Sequence, residues 1–152
     1  MSDLASRTYQ MNRDVNASTI EVISQLFDKM IAAIEGAVVA AHCGRIEDRH
    51  QLTSKAAAVL TGFRHALDMD NGGQIAVSLD KLYQFALMRL TEFEIKNDAR
   101  YARDAISILA PLGKSWKSLT ERRYKVALPP VDRTPRPSQD PAQVARVLSV
   151  KI

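Results

Sequence analysis

The sequence predicts an all-α protein, an antiparallel up-down four-helix bundle with an N-terminal leader and a Pro/Arg-rich C-terminal tail. Three observations predict this fold. Apolar residues recur in steps of three and four along four separate segments, as on one face of a helix. Residues 20–110 contain no proline and few glycines, which favours helices. The joining segments are short, so consecutive helices are expected to pack as antiparallel neighbours.

The first helical segment follows a polar leader, residues 1–17. Ser18 with Glu21 three residues later forms a capping-box pattern, which predicts that the helix begins there. Gly44 falls just past the segment, where glycine commonly ends a helix. The apolar stripe comprises Ile20, Ile23, Phe27, Met30, Ile31, Ile34, Val38 and Ala41.

The second and third segments are separated by the turn-forming run Asp70-Asn71-Gly72-Gly73. We expect the second helix to begin near Glu47-Asp48, because acidic residues favour a helix N-terminus. Its apolar stripe is Leu52, Ala56, Val59, Leu60, Phe63 and Leu67. The third stripe is Ile75, Leu79, Leu82, Tyr83, Ala86, Leu90 and Phe93.

The fourth segment has Asp98 as its predicted N-cap, because an aspartate oxygen can accept from the first free backbone amides. Pro111 lies inside this segment, where it removes one helical hydrogen bond. The apolar pattern resumes through Trp116, so we predict a kinked helix and not a terminated one. The stripe is Tyr101, Ala105, Ile108, Leu109, Leu112, Trp116 and Leu119. The predicted bundle spans residues 18–126.

Residues 127–152 form the predicted tail. Five of the six prolines fall between residues 129 and 141, which favours an extended or disordered segment. Val144, Val147 and Leu148 have helical spacing, which predicts a short helix that docks on the bundle or a frayed end.

The net charge of +4 belongs to the C-terminal part of the chain. Residues 1–119 hold 14 basic and 14 acidic residues, whereas residues 120–152 hold 7 basic and 3 acidic residues. A neutral body with a basic tail is weak evidence for a polyanion-binding domain. Nucleic acid is therefore not expected as a partner.

The sequence offers no pattern for catalysis or for a cofactor. His42 and Cys43 are adjacent, so on a helix they point about 100° apart and cannot chelate one metal ion together. His50 and His65 have no partner at ligand spacing. One cysteine excludes an internal disulfide, and no apolar run approaches the length of a membrane span. The interpretation is a cytoplasmic protein that is not an enzyme, needs no cofactor and does not insert into a membrane.

Apolar residues exceed what one core-facing stripe per helix holds. Leu26 and Met88 are examples that lie off the main stripes. One interpretation is a broad core-facing band. The other is a groove for a partner helix, because amphipathic helices bind grooves by apolar anchors at helical spacing. Periodicity alone does not choose between them.

The residues between about 9 and 119 resemble the FliS-type flagellin export chaperones of bacterial flagella. The strongest stretch runs from Lys55 to Trp116. It comprises Lys55-Ala56, Leu67-Asp68, Gly72-Gly73, Ile75-Ala76, Leu79, Leu82-Tyr83, Arg89-Leu90, Lys96-Asn97-Asp98 and Trp116. Nearer the N-terminus, Tyr9, Asn12 and Ala17-Ser18 stand where the family has the same residues, and Leu26-Phe27-Asp28 resembles its Leu-Tyr-Asp.

The resemblance implies a four-helix bundle that binds the disordered C-terminal region of flagellin in the cytoplasm. The family holds this region as helical pieces wrapped around the bundle, prevents premature polymerisation and delivers flagellin to the type III export apparatus. Tyr9 would then lie as a strap over a groove. Tyr83 and Trp116 are expected in the core, and Arg89, Asn97 and Asp98 at loops and helix caps.

The predicted partner contacts are Tyr9, Met11, Val15, Ile23, Leu26, Phe27, Met30, Leu82, Phe85 and Met88. The expected partners are the flagellin C-terminal segment and components of the export apparatus, and a homodimer stays open. The alternative function is a helical adaptor or regulatory bundle whose basic tail binds RNA, an anionic surface or another export client.

Overall fold

The computed structural model describes the backbone of residues 2–127 and the side chains of residues 4–8, 11 and 18–122. The described chain is helical, as predicted, and contains no strand. Its helices are α1 (Ser2–His42), α2 (Ile46–His65), α3 (Gly73–Lys96) and α4 (Ala99–Ala127). The predictions for the tail lie outside the described residues. None of the four described helices has a stretch apolar enough to cross a bilayer.

The four helices pack in a ring. Helices α1 and α3 each pack against α2 and α4, and within residues 2–127 the backbones of α1 and α3 do not approach within 8 Å of each other. Arg49 near the start of α2 donates to Asn97 Oδ1 just past the end of α3. Gly113 in α4 lies against Phe27 in α1, where an added Cβ would come within 3.4 Å of the phenylalanine. Sequential neighbours therefore run antiparallel, and α1 and α3 occupy opposite corners.

Three of the four predicted helix-end signals act where they were expected. Gly44 follows α1 with a φ of +69°, a left-handed conformation that suits glycine. Glu47 and Asp48 lie in the first turn of α2. Asp98 Oδ1 accepts from the Arg100 backbone amide at 2.9 Å, which is the N-cap bond of α4.

The fourth signal, at Ser18, was wrong. Helix α1 begins at Ser2 and passes through Ser18 without interruption. Residues 2–17 contain no proline or glycine that would stop a helix, and a Ser-x-x-Glu pattern is compatible with a helix interior when the preceding residues can extend the helix. A separate function for residues 1–17 stays a prediction.

Helix α4 continues through Pro111, as predicted. The proline cannot donate to the Ser107 carbonyl four residues earlier. Both residues are exposed, so water can hydrate that carbonyl. The interruption therefore faces solvent and leaves the buried side of α4 intact.

The core takes its largest side chains from all four helices. The stacked rings of Phe27 and Phe63, with centroids 4.8 Å apart, join α1 to α2. Phe27 and Met30 are 0% and 1% exposed. Their prediction as partner contacts is corrected, because both side chains are enclosed by neighbouring helices and have no surface to offer. The largest fully buried side chains are Phe27, Phe93, Met30, Ile34, Leu60, Leu90 and Leu109.

Candidate partner-binding surface

Helix α3 carries a line of exposed large apolar side chains, which we call the α3 row. Leu82, Phe85 and Met88 form its centre and are 38%, 37% and 49% exposed. Ile75 lies seven residues before Leu82 and is 75% exposed, and Ile95 lies seven residues after Met88 and is 76% exposed. At 1.5 Å per residue, the row extends along about 30 Å of the helix.

The spacing of the α3 row places its middle residue, Met88, away from the core side of the same helix. Tyr83, Ala86, Leu90 and Phe93 are spaced by three and four residues and are buried. Met88 lies two residues from both Ala86 and Leu90, and at 100° per residue that displacement carries it to the opposite side of the helix. Helix α3 is therefore apolar on two faces, and the bundle uses only one of them.

Three charged side chains beside the row, Arg89, Glu92 and Lys96, are paired within the chain. Arg89 Nη1 donates to Glu92 Oε2 at 2.8 Å, and Arg89 Nε lies 3.5 Å from Asp104 Oδ2 of α4. The Arg89 guanidinium also lies over the rings of Phe85 and Tyr101, at 4.9 and 5.5 Å from their centroids. Arg89 therefore joins α3 to α4, which corrects its expected role at a loop or helix cap.

Lys96 secures the end of α3 to the start of α4. Its Nζ donates to the Tyr101 hydroxyl at 2.8 Å and lies 4.6 Å from the centre of that ring. The hydrogen bond with Tyr101 is the main reason that the pKa of Lys96 lies above its ordinary value. The amine lies 3.8 Å from Glu92 Oε1, so this edge of the row is electrostatically satisfied.

The opposite edge of α3 is joined to α2 by polar contacts. Arg64 Nε donates to Asp80 Oδ1 at 2.8 Å. Arg49, which is 7% exposed, donates to the Glu94 carbonyl at 3.2 Å and places its Nε 3.6 Å from Glu94 Oε1. His50 Nδ1 lies 2.8 Å from Glu94 Oε2. These contacts hold α3 in place and leave its outer face uncovered.

The predicted contacts on α1 lie apart from the α3 row. Leu26 is half-buried, and Ile23 packs partly against the core. Val22, one helical turn before Leu26, is 50% exposed. Because α1 and α3 occupy opposite corners of the ring, Leu26 and Met88 do not share one groove.

The predicted contacts near the N-terminus lie on the first part of α1. Met11 is 69% exposed, and Leu4 is 73% exposed. The side chains of Tyr9 and Val15 lie outside the described residues, and the strap role of Tyr9 stays a prediction. Gly113 lies against Phe27, and α1 and α4 are antiparallel. The end of α4, fourteen residues after Gly113, is therefore level with about residue 13 of α1.

Three predicted structural roles are confirmed. Tyr83 is 4% exposed, and this burial raises the pKa of its hydroxyl. Trp116 packs partly buried against the core. Asn97 ends α3 in the left-handed conformation, with a φ of +50°, and its amide donates to the Phe93 carbonyl.

Sequence reasoning missed the two ends of the α3 row. Periodicity places Ile75 on the core stripe of the third segment, and no predicted stripe includes Ile95. Each lies seven residues from a residue that was considered, Leu82 or Met88, and a seven-residue step returns to nearly the same face of a helix. The seven-residue spacing is the sequence signal that could have identified Ile75 and Ile95.

The described side chains offer no group of three or more metal-binding residues. Cys43 is exposed just beyond α1. The described surface that differs most from an ordinary solvated face is therefore the apolar α3 row.

Comparison with known proteins identifies the class as helical chaperones of the flagellum. The chain matches the family "Flagellar protein FliS" over residues 1–123. It is 28% identical to the flagellar secretion chaperone FliS of Salmonella typhimurium over 109 residues, which is 71% of this chain and 81% of the relative. It is 28% identical to that of Vibrio cholerae over 103 residues, covering 68% of this chain and 76% of the relative.

A further relative is the flagellar secretion chaperone FliSB of Pseudomonas aeruginosa. It is 30% identical over 76 residues, which is 50% of this chain and 60% of the relative. The family match covers all four helices except the last turn of α4. The chain belongs to the FliS family of flagellar secretion chaperones.

Proposed function

We propose that this protein binds the disordered C-terminal region of flagellin in the cytoplasm, prevents its premature polymerisation and delivers it to the flagellar type III export apparatus. The observation that supports this role most directly is the α3 row, five exposed large apolar side chains on one helix. An amphipathic segment of a partner binds such a row by apolar anchors at helical spacing. The role requires no cofactor and no catalysis.

The separation of the apolar surfaces favours a partner that wraps around the bundle. Ordering a disordered segment costs conformational entropy, so stable binding needs a large interface. The exposed apolar surface of α3 and that around Val22 and Leu26 of α1 lie at opposite corners of the ring. A flexible segment can cover both surfaces, whereas one straight helix cannot. The proposed contacts are Tyr9, Met11, Val15, Ile23, Leu26, Leu82, Phe85 and Met88, joined by Ile75 and Ile95.

The charges around the row favour apolar recognition. Arg89, Glu92 and Lys96 already interact with one another and with α4. A partner therefore meets few free charges beside Phe85 and Met88. We expect binding to depend little on salt concentration, because few ions are released.

Calorimetric titration with the C-terminal segment of the organism's own flagellin tests this function. At about 50 and 200 mM salt, we expect similar affinities and a large negative heat-capacity change from apolar burial. The absence of binding would contradict the proposal. A fall of 100-fold or more between the two salt concentrations would instead favour the alternative, in which basic residues bind a polyanion.

A further inference from the structure

The residues after α4 include a segment whose composition fits the α3 row. Residues 128–152 begin with a proline-rich spacer that ends at Pro141. The final residues, 142–152, contain no proline, no acidic residue and a set of apolar residues. Val144, Val147 and Leu148 are spaced as anchors on one face of a helix. We propose that residues 142–152 cover the α3 row and compete with the partner that binds there.

The register of α3 against α4 fixes where the spacer begins. Arg89 lies beside Asp104, and Lys96 beside Tyr101, so these pairs are at similar heights in the bundle. From Asp104, α4 continues for 23 residues to Ala127, whereas α3 extends back only 16 residues from Arg89 to Gly73. At 1.5 Å per residue, α4 ends about 10 Å beyond the start of α3.

The spacer is long enough to reach the centre of the row. By the same register, Phe85 lies about 30 Å back along the bundle from Ala127, and neighbouring helices are about 10 Å apart. The fourteen residues 128–141 span about 43 Å in an extended polyproline conformation. Residues 142–152 can therefore lie beside Leu82, Phe85 and Met88.

The chemistry of the last residues fits the row. The row is apolar, Arg89, Glu92 and Lys96 beside it are paired, and the anchors in residues 142–152 are valine and leucine. A tethered segment also acts at an effective concentration in the millimolar range, so weak apolar contacts suffice to cover the row. A second copy of the chain has no such advantage at micromolar concentration.

Coverage by the tail is measured first, without any partner. A thiol placed beside the row by Lys81→Cys, with Cys43→Ser to remove the exposed native thiol, is alkylated with a bulky maleimide. We expect Val147→Asp with Leu148→Asp to speed this reaction about fivefold. Two controls accompany it. Ser138→Asp with Gln139→Asp in the spacer should leave the alkylation rate at position 81 slow. A thiol introduced by Ala58→Cys, exposed on α2, should react at the same rate in the proteins with native, anchor-changed and spacer-changed tails.

Equal rates at position 81 with native and anchor-changed tails would overturn the proposal, even if flagellin binds tightly. The competition rests on the proposed function and is measured separately. If the tail covers the row four-fifths of the time, the anchor changes should also tighten flagellin binding about fivefold. The increase in alkylation rate and the increase in flagellin affinity both report the uncovered fraction of the row. A protected thiol with unchanged flagellin affinity would overturn the competition. A protected thiol with no flagellin binding by either tail would support the docking and contradict the proposed function.

Discussion

Helices α2 and α3 are antiparallel neighbours whose inner faces are alike and whose outer faces differ. Both bury apolar residues toward the core, such as Leu60 in α2 and Leu90 in α3. The exposed residues of α2 are polar or small beyond its first residue, Ile46. Helix α3 instead exposes five large apolar side chains. Packing of the bundle requires the inner faces only, so the outer face of α3 needs an explanation outside the fold.

The inner faces should contribute equally to stability. Leu60→Ala and Leu90→Ala each remove a buried side chain from the same core, so we expect each to lower the free energy of unfolding by about 3 kcal/mol. Urea denaturation followed by circular dichroism measures this loss. A change below about 1 kcal/mol in only one variant would show that the two inner faces are not equivalent.

The polar link between the two helices should contribute less. Arg49→Met leaves the Glu94 carboxylate and the Asn97 side chain without their buried partner. We expect a loss of about 2 kcal/mol, because Glu94 remains partly accessible to water. The same denaturation experiment measures it, with Arg45→Met, an exposed neighbour, as the control that should cost much less. An unchanged stability would mean that the link is not formed in solution.

The Asp98 capping contact should have the smallest effect on stability and no effect on the outer faces. The hydrogen bond from the Arg100 side chain, with that from its backbone amide, lowers the pKa of Asp98 to about 2. Because the folded pKa lies below the ordinary value of 3.8, this stabilisation is present above pH 3.8 and is lost as the pH falls toward 2. Carboxyl titration by NMR measures the midpoint. A midpoint near 3.8 would contradict the capping contact.

The sequence predicted the inner faces better than the outer ones. Periodicity identified Tyr83, Leu90 and Phe93 as core residues, because an apolar residue on the central stripe of a helix is buried in nearly any bundle. Periodicity could not separate Phe27 and Met30 from contact residues. Their burial depends on how closely the other helices approach α1, which no single segment encodes.

The same limit explains the errors on α1 and α3. The capping pattern at Ser18 predicts a helix start, but no residue between Ser2 and Ser18 stops a helix, so α1 extends back to Ser2. Ile75 was assigned to the core because its spacing fits the stripe. It lies in the first turn of α3, however, at the edge of the buried face, where its neighbours leave it 75% exposed.

The most direct test compares matched changes on the two outer faces. Leu82→Asp with Met88→Asp places two charges on the α3 row, and Ser54→Asp with Ala58→Asp places two on the exposed face of α2. In calorimetric titration with the flagellin C-terminal segment, we expect the α3 pair to weaken binding at least 30-fold. The α2 pair should change it less than threefold, and both proteins should keep their helical circular dichroism. Equal affinities for the two pairs, with helicity retained, would contradict the assignment of the α3 row as the partner-binding surface.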